Sequence, residues 1–289
     1  LERYFLSQFM RAQKERYVPA FVPAKDGNYV VRNKQRFFVL LRLEEWRREQ
    51  VPVTGEELAA FHYRGFYFQE PLQELNRIGK WQEYWEARLE QLEKLYTTIL
   101  KSGPGTEFDE WFLLSFSYYA GLAENALAYV QDTFLDEVPG PYDRGTVCHE
   151  RFTPGHWLRE NPWKNPFEWV YDHPVRDLAE YVRILLLQGG QKIERARNFV
   201  NAYERVVPLS GMAWRLFFAR LLFPVHYFSL VEDYYWEPEK SGKKNLLAAL
   251  QDYLRKSGEY ELFLARFVDV FRIPVQRVFL PLPEWLLKK

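Results

Sequence analysis

Two nearby segments hold most of the side chains that could do chemistry. The first is Cys148-His149-Glu150-Arg151-Phe152-Thr153-Pro154-Gly155-His156-Trp157. The second is Phe167-Glu168-Trp169-Val170-Tyr171-Asp172-His173-Pro174-Val175-Arg176-Asp177-Leu178-Ala179. His149, His156 and His173 with Glu150 or Asp172 could be assembled into a metal cluster, but their spacings fit no zinc signature, so no metal is expected. Cys148 beside His149 could be offered as a nucleophile with its base. Adjacent residues of an extended segment point to opposite sides, however, so Cys148 reads as a small buried residue ahead of a loop. Arg151 keeps its proton at any relevant pH and cannot be a general base. Its guanidinium could receive a phosphate or carboxylate, with Arg144 as a second candidate. The plainer expectation is an ion pair with Asp172 or Asp177 that fastens the loop.

The elements that must position these residues can be read from periodicity and punctuation. Leu1, Tyr4, Phe5, Phe9 and Met10 recur at helical spacing with no cap ahead of them, so the chain begins inside structure and a preceding segment is missing or trimmed. Short strand-like runs follow at Tyr17–Val22, Asn28–Arg32 and Phe37–Leu43, with Asp26-Gly27 as the hairpin signal. The charge-rich stretch 42–49 reads as a solvated linker. Thr54 with Glu57 forms a capping-box pattern for a helix towards Tyr63. Trp81, Trp85, Leu89, Leu92, Tyr96 and Ile99 make a three-four stripe, Gly103-Pro104-Gly105 ends it, and Thr106 with Asp109 starts another helix. The stretch 138–174 lacks periodicity, and long irregular segments in compact domains usually carry function. Helices are predicted over Asp177–Leu187, Lys192–Arg205, Met212–Tyr235, Asn245–Arg255 and Tyr260–Phe271. The breaks fall at Gly189-Gly190, 208–211, 237–242 and Ser257-Gly258, and Trp285 anchors a proline-rich tail.

Composition narrows the function classes. The 289 residues carry 39 Lys+Arg against 39 Asp+Glu, which removes the broad basic field that non-specific nucleic-acid binding needs. One cysteine excludes an intramolecular disulfide and any multi-cysteine metal site. The richest apolar stretch, Leu216–Val231, is interrupted by Arg220, Pro224 and His226, so no membrane span and no membrane partner are expected, and no signal peptide is read at the start. The chain has 10 Trp, 19 Tyr and 23 Phe but only two Met. Most of these aromatics belong to helical core stripes. The triplet Tyr234-Tyr235-Trp236 cannot turn one face inward and is the candidate contact surface.

The order of the two chemical segments resembles the aminoglycoside/choline-kinase-like phosphotransferases, whose catalytic loop reads His-Gly-Asp-x-x-x-x-Asn and is followed by a metal-binding Asp and an Asp-Leu-Ala helix start. Over nearly the whole chain the likeness is to the spore-coat-associated kinase-like proteins of the CotS/YutH type. The resemblance implies an α+β, mostly helical, protein-kinase-like fold. Residues 1–45 would be the remnant of a β-containing small lobe, and 46–289 a helical large lobe with a degenerate catalytic loop at 145–177. His149 matches the loop histidine and Asp177 the Asp of Asp-Leu-Ala, both as structural residues. Arg151 falls where the catalytic Asp belongs, His156 where the metal-binding Asn belongs, and Glu168 is the best counterpart of the metal-binding Asp.

Phosphoryl transfer needs a carboxylate to orient the acceptor and oxygen ligands to hold Mg²⁺. The resemblance therefore implies a pseudokinase with no cofactor. It would be a structural or interaction component of the bacterial spore coat or forespore surface, partnered by other coat proteins. The alternatives are an active ATP- and Mg²⁺-dependent small-molecule phosphotransferase using Glu150 and Glu168, and an anion-binding module built on Arg151 and Arg144.

Overall fold

The opening apolar spacing forms helix α1 (Glu2–Ala12), which buries Leu6, Ser7 and Met10. The computed structural model describes residues 1–44, 53–157, 163–188, 192–237, 242–274 and 278–287. They fall into two compact units. One comprises Leu1–Ile78, Pro141–Ile184 and Asn198–Pro208, the other Gly79–Gly140, Leu185–Arg197 and Leu209–Lys289. The division expected at 45/46, most of the 42–49 linker, Gly189-Gly190 and most of the break at 237–242 lie outside the described residues.

In the first unit the strand-like runs form two small antiparallel pairs. β1 (Ala20–Val22) pairs with β4 (Leu40–Arg42), and between them β2 (Val31–Asn33) pairs with β3 (Arg36–Phe38). The hairpin is therefore not at Asp26-Gly27. That dipeptide makes a turn, with Gly27 at φ +82° and the Ala24 N–H donating to Asn28 O at 2.8 Å, but no ladder flanks it. The ladder instead closes around the two-residue loop Lys34-Gln35, with Lys34 at φ +55°. A local turn signal fixes the turn, whereas the cross-strand pairs choose the register.

Helix α2 (Gly55–Gly65) starts where Thr54 Oγ1 accepts the Glu57 N–H at 3.1 Å. The Glu57 carboxylate lies 3.5 Å from Lys164 Nζ. The irregular stretch contains two unpredicted strands, β5 (Thr146–His149) and β6 (Trp169–Asp172), paired antiparallel. Their near-continuous burial hides the alternation by which strands are recognised. Helices α5 (Val175–Leu187) and α6 (Ile193–Glu204) follow.

The second unit is helical. α3 (Trp81–Ser102) buries Trp81, Trp85, Leu89, Leu92 and Ile99, as its stripe predicts. α4 (Glu107–Asp136) opens with a full capping box between Thr106 and Asp109. The helix predicted over Met212–Tyr235 is two, α7 (Gly211–Leu222) and α8 (Val225–Trp236), because Pro224 has no N–H to donate and its ring opposes a continuous helix. Conversely α9 (Lys243–Ala265) runs straight through Ser257-Gly258. One exposed glycine costs about 1 kcal/mol in a helix, less than the burial of Leu246, Leu250, Phe263 and Leu264 returns. α10 (Phe267–Phe271) and α11 (Glu284–Leu287) complete it, with the Trp285 ring 6.5 Å from that of Tyr118. No helix among the described residues is long and apolar enough to cross a membrane.

Candidate functional site

The two chemical segments meet at one end of the β5–β6 ladder. His149 pairs with Trp169 at the last register position, and the Glu150 N–H donates to Glu168 O at 2.8 Å, extending the ladder by one bond. The chain then turns back through Thr153–His156, with the His156 N–H donating to Thr153 O at 3.0 Å. Trp157 follows at φ +56°, a conformation costly for a bulky residue. Packing of its indole against Phe61, His149 and Phe152 holds it there.

This turn brings His156 to Glu168. The Thr153 N–H donates to His156 Nδ1 at 3.0 Å, so Nδ1 is an acceptor and the ring proton sits on Nε2, 3.2 Å from Glu168 Oε2. Asn165 Nδ2 donates to the other Glu168 oxygen at 3.1 Å. Both carboxylate oxygens thus have protein donors.

Behind the loop lies a fully buried network centred on Asp177 at the start of α5. Its Oδ2 accepts from His149 Nδ1 at 2.7 Å and His62 Nε2 at 3.2 Å, and its Oδ1 accepts the His149 N–H at 2.9 Å. Burial acts to raise the carboxyl pKa, and the two imidazoles outweigh it, holding Asp177 well below the usual carboxylate range. Burial lowers the pKa of His149 against the opposing pull of Asp177, so His149 is a neutral donor. Tyr203 OH meets His62 Nδ1 at 2.8 Å and fixes the second ring.

His62, Cys148 and Asp177 place ligand-type atoms within 4.8 Å of one another. Within it His62 Nε2 lies 3.2 Å from Asp177 Oδ2 and 3.9 Å from Cys148 Sγ, and Asp177 Oδ2 also accepts from His149 Nδ1 at 2.7 Å. Cys148 is fully buried, its Sγ near Asp172 O and His173 O at 3.5 and 3.6 Å, as a small residue packed ahead of the loop.

Arg176 fastens the start of the loop. Its guanidinium donates to His149 O at 2.9 Å, Glu150 O at 3.1 Å and Asp172 Oδ2 at 2.8 Å, so one side chain grips both backbone carbonyls at the loop's start. Arg151 itself is exposed. Arg144 lies beyond the other end of β5, 5.4 Å above the Phe66 ring, so the two arginines do not converge from neighbouring positions. His173 bonds Asp143 at 3.2 Å rather than joining His149 and His156.

Sequence reasoning did not single out His62, Tyr203, Arg176 or Lys164 as parts of this site. Lys164 is almost fully buried, 2.6 Å from Glu15 Oε1 and 4.0 Å from the Trp157 ring centre. Only its place inside the aperiodic stretch could have flagged it.

Tyr234 and Tyr235 are largely absorbed by the second unit. Tyr234 is buried and stacked on Phe108 at 3.7 Å, Tyr235 donates to Asp109, and Trp236 alone of the three stays exposed.

Residues 1–267 match the protein family described as "Spore coat putative kinase YutH". The chain belongs to this family. It is 36% identical over 286 residues to the endospore coat-associated protein YutH of Bacillus subtilis (strain 168), covering 99% of this chain and 84% of that protein. Among solved structures it is similar to an aminoglycoside phosphotransferase from Alicyclobacillus acidocaldarius subsp. acidocaldarius DSM 446. That likeness has a TM-score of 0.68 at 18% identity, over 93% of this chain and 83% of that one. The YutH-family chain therefore has a kinase-like phosphotransferase fold, α+β and mostly helical, with few short strands.

That fold family implies Mg²⁺, and the donors present do not fit it. At the two metal-binding positions the resemblance assigns, His156 offers an imidazole, a ligand Mg²⁺ disfavours, and Glu168 a half-exposed carboxylate that already accepts from His156 and Asn165.

Proposed function

We infer that this YutH-family protein is a pseudokinase that serves the spore coat as a structural or interaction component, with other coat proteins as its partners. The observation that carries the reading is the His156–Glu168 contact at 3.2 Å, an imidazole N–H on a carboxylate at the positions where the resemblance places two oxygen ligands of a cation. Arg151 at the catalytic-Asp position adds a permanent positive charge where an acceptor hydroxyl would need a base. The buried frame behind the loop is retained, so the fold keeps its scaffold without the groups that do the chemistry. The coat association is carried over from the name of the Bacillus subtilis relative.

The reading is tested by replacing Arg151, His156 and Glu168 with alanine together and following coat association by fractionation of spores. A folded triple variant that still partitions with the coat is the expected result. A folded variant that no longer associates would mean that this loop's chemistry or ligand is needed, and would overturn the structural role.

A further inference from the structure

Tyr63 and Tyr67 meet where α2 ends. The chain leaves the helix through tight bonds, the Tyr67 N–H donating to Arg64 O at 3.2 Å and the Phe68 N–H to Gly65 O at 3.1 Å, which keeps Tyr67 one turn beyond Tyr63. The Tyr67 hydroxyl donates to the Tyr63 hydroxyl at 3.0 Å, and the rings stand edge to face with centres 5.6 Å apart. Giving this bond pushes the Tyr67 phenol pKa up. Tyr142 flanks the pair, its ring 6.4 Å from that of Tyr63 and 5.5 Å from that of Phe66. A bond between two half-exposed phenols adds little to stability, but it sets two oxidisable rings with their hydroxyl-bearing edges together.

That placement suits oxidative coupling. A one-electron oxidant takes an electron from each phenol, and each phenolic proton leaves to water. The two neutral phenoxyl radicals carry unpaired spin on the ring carbons ortho to oxygen. They join there in one carbon–carbon bond, and the hydrogens on the joined carbons move to the oxygens as the rings regain aromaticity. Hydrogen peroxide takes up the two electrons and two protons and becomes two waters, so the protein loses two hydrogens in all. Exposed side chains rotate within nanoseconds, and holding both radicals on neighbouring turns makes their coupling unimolecular. A second pair with touching hydroxyls, Tyr4 and Tyr29 at 3.2 Å, is half-buried beside Phe5 and Phe21. Tyr63 and Tyr67 are 41% and 50% exposed, so an outside oxidant reaches them first.

We propose that Tyr63 and Tyr67 are a modification site, coupled to an intramolecular dityrosine by a haem peroxidase and hydrogen peroxide. The bond would staple the end of α2, the helix that brings His62 to Asp177 and rests on β5 at Gly65. The test is treatment of the whole protein with peroxidase and limiting peroxide, followed by dityrosine fluorescence, intact mass and tryptic mapping after denaturation. Trypsin cuts between the two residues at Arg64, and peptides 49–64 and 65–77 hold one tyrosine each. The expected result is a monomer lighter by two hydrogens in which these two peptides are joined. The product should be lost in Y63F and in Y67F and retained in Y4F, with melting unchanged in all three before oxidation. Cross-linking that continues undiminished in Y63F or Y67F overturns the proposal. So does a main product at Tyr4–Tyr29, covalent dimers alone, or oxidation that leaves the two peptides unjoined.

Discussion

His156 Nε2 and Glu168 Oε2 lie 3.2 Å apart, although twelve positions separate them in the chain. The turn at Thr153–His156 delivers one and the end of the β5–β6 ladder delivers the other. Each is the other's partner, and the contact is part-exposed, so its importance is what it occupies rather than what it stabilises.

That contrast gives a stability prediction. His156→Ala and Glu168→Ala should each change unfolding free energy by less than about 1 kcal/mol. Asp177→Asn should cost about 1.5–3 kcal/mol, because a buried amide replaces the charged acceptor of His149 Nδ1 and His62 Nε2. Urea titrations of the three variants check the ranking.

Acid should destabilise the protein in two steps. His149 has a folded pKa below its ordinary 6.5, so the unfolded chain takes up a proton the folded one refuses. Its contribution is complete above about pH 6.5 and declines as pH falls below it. Asp177 is also lowered in the fold, from 3.8, so its contribution is present above 3.8 and lost as pH falls further. In His149→Asn, whose amide can still donate to Asp177, the upper step should shrink by up to about 1.4 kcal/mol per pH unit. Melting curves from pH 8 to 3 on both proteins measure it.

Gly65 lets α2 rest directly on β5. A Cβ there would sit 2.2 Å from Thr146 Oγ1 and 2.7 Å from the Val147 nitrogen, and Thr146 cannot yield freely because its hydroxyl donates to His62 O at 2.7 Å. Gly65→Ala should destabilise by about 1–3 kcal/mol and loosen the loop. Calorimetry reads the first, and hydrogen exchange at the His149 and Glu150 amides reads the second.

The aromatic triplet separates packing from contact. Tyr235→Phe removes the donor to Asp109, whose carboxylate also holds the Gly105 and Thr106 N–H groups at 2.9 Å each, and should cost about 1.5–3 kcal/mol. Trp236→Ala should stay within about 0.5 kcal/mol. Thermal denaturation of the two variants distinguishes them.

Much of the second unit was legible because α3 and α4 are amphipathic and punctuated, by Gly103-Pro104-Gly105 and by the Thr106–Asp109 box. Pro224 was visible as a residue but not as a break, since the apolar pattern continues across it. At the site, His149 and Asp177 were legible only as the structural residues the family resemblance implies, and their direct contact comes from the fold. Arg176 was not legible, because its grip on two carbonyls depends on backbone positions that no side-chain pattern encodes. β5 and β6 were invisible because strands buried on both faces lose their alternation.

The central claim is most directly tested by isothermal titration of ATP into the whole protein with and without Mg²⁺, alongside Glu168→Ala. The account predicts no Mg²⁺-dependent binding and no difference between the two proteins. Micromolar, Mg²⁺-dependent ATP binding that Glu168→Ala abolishes would contradict it.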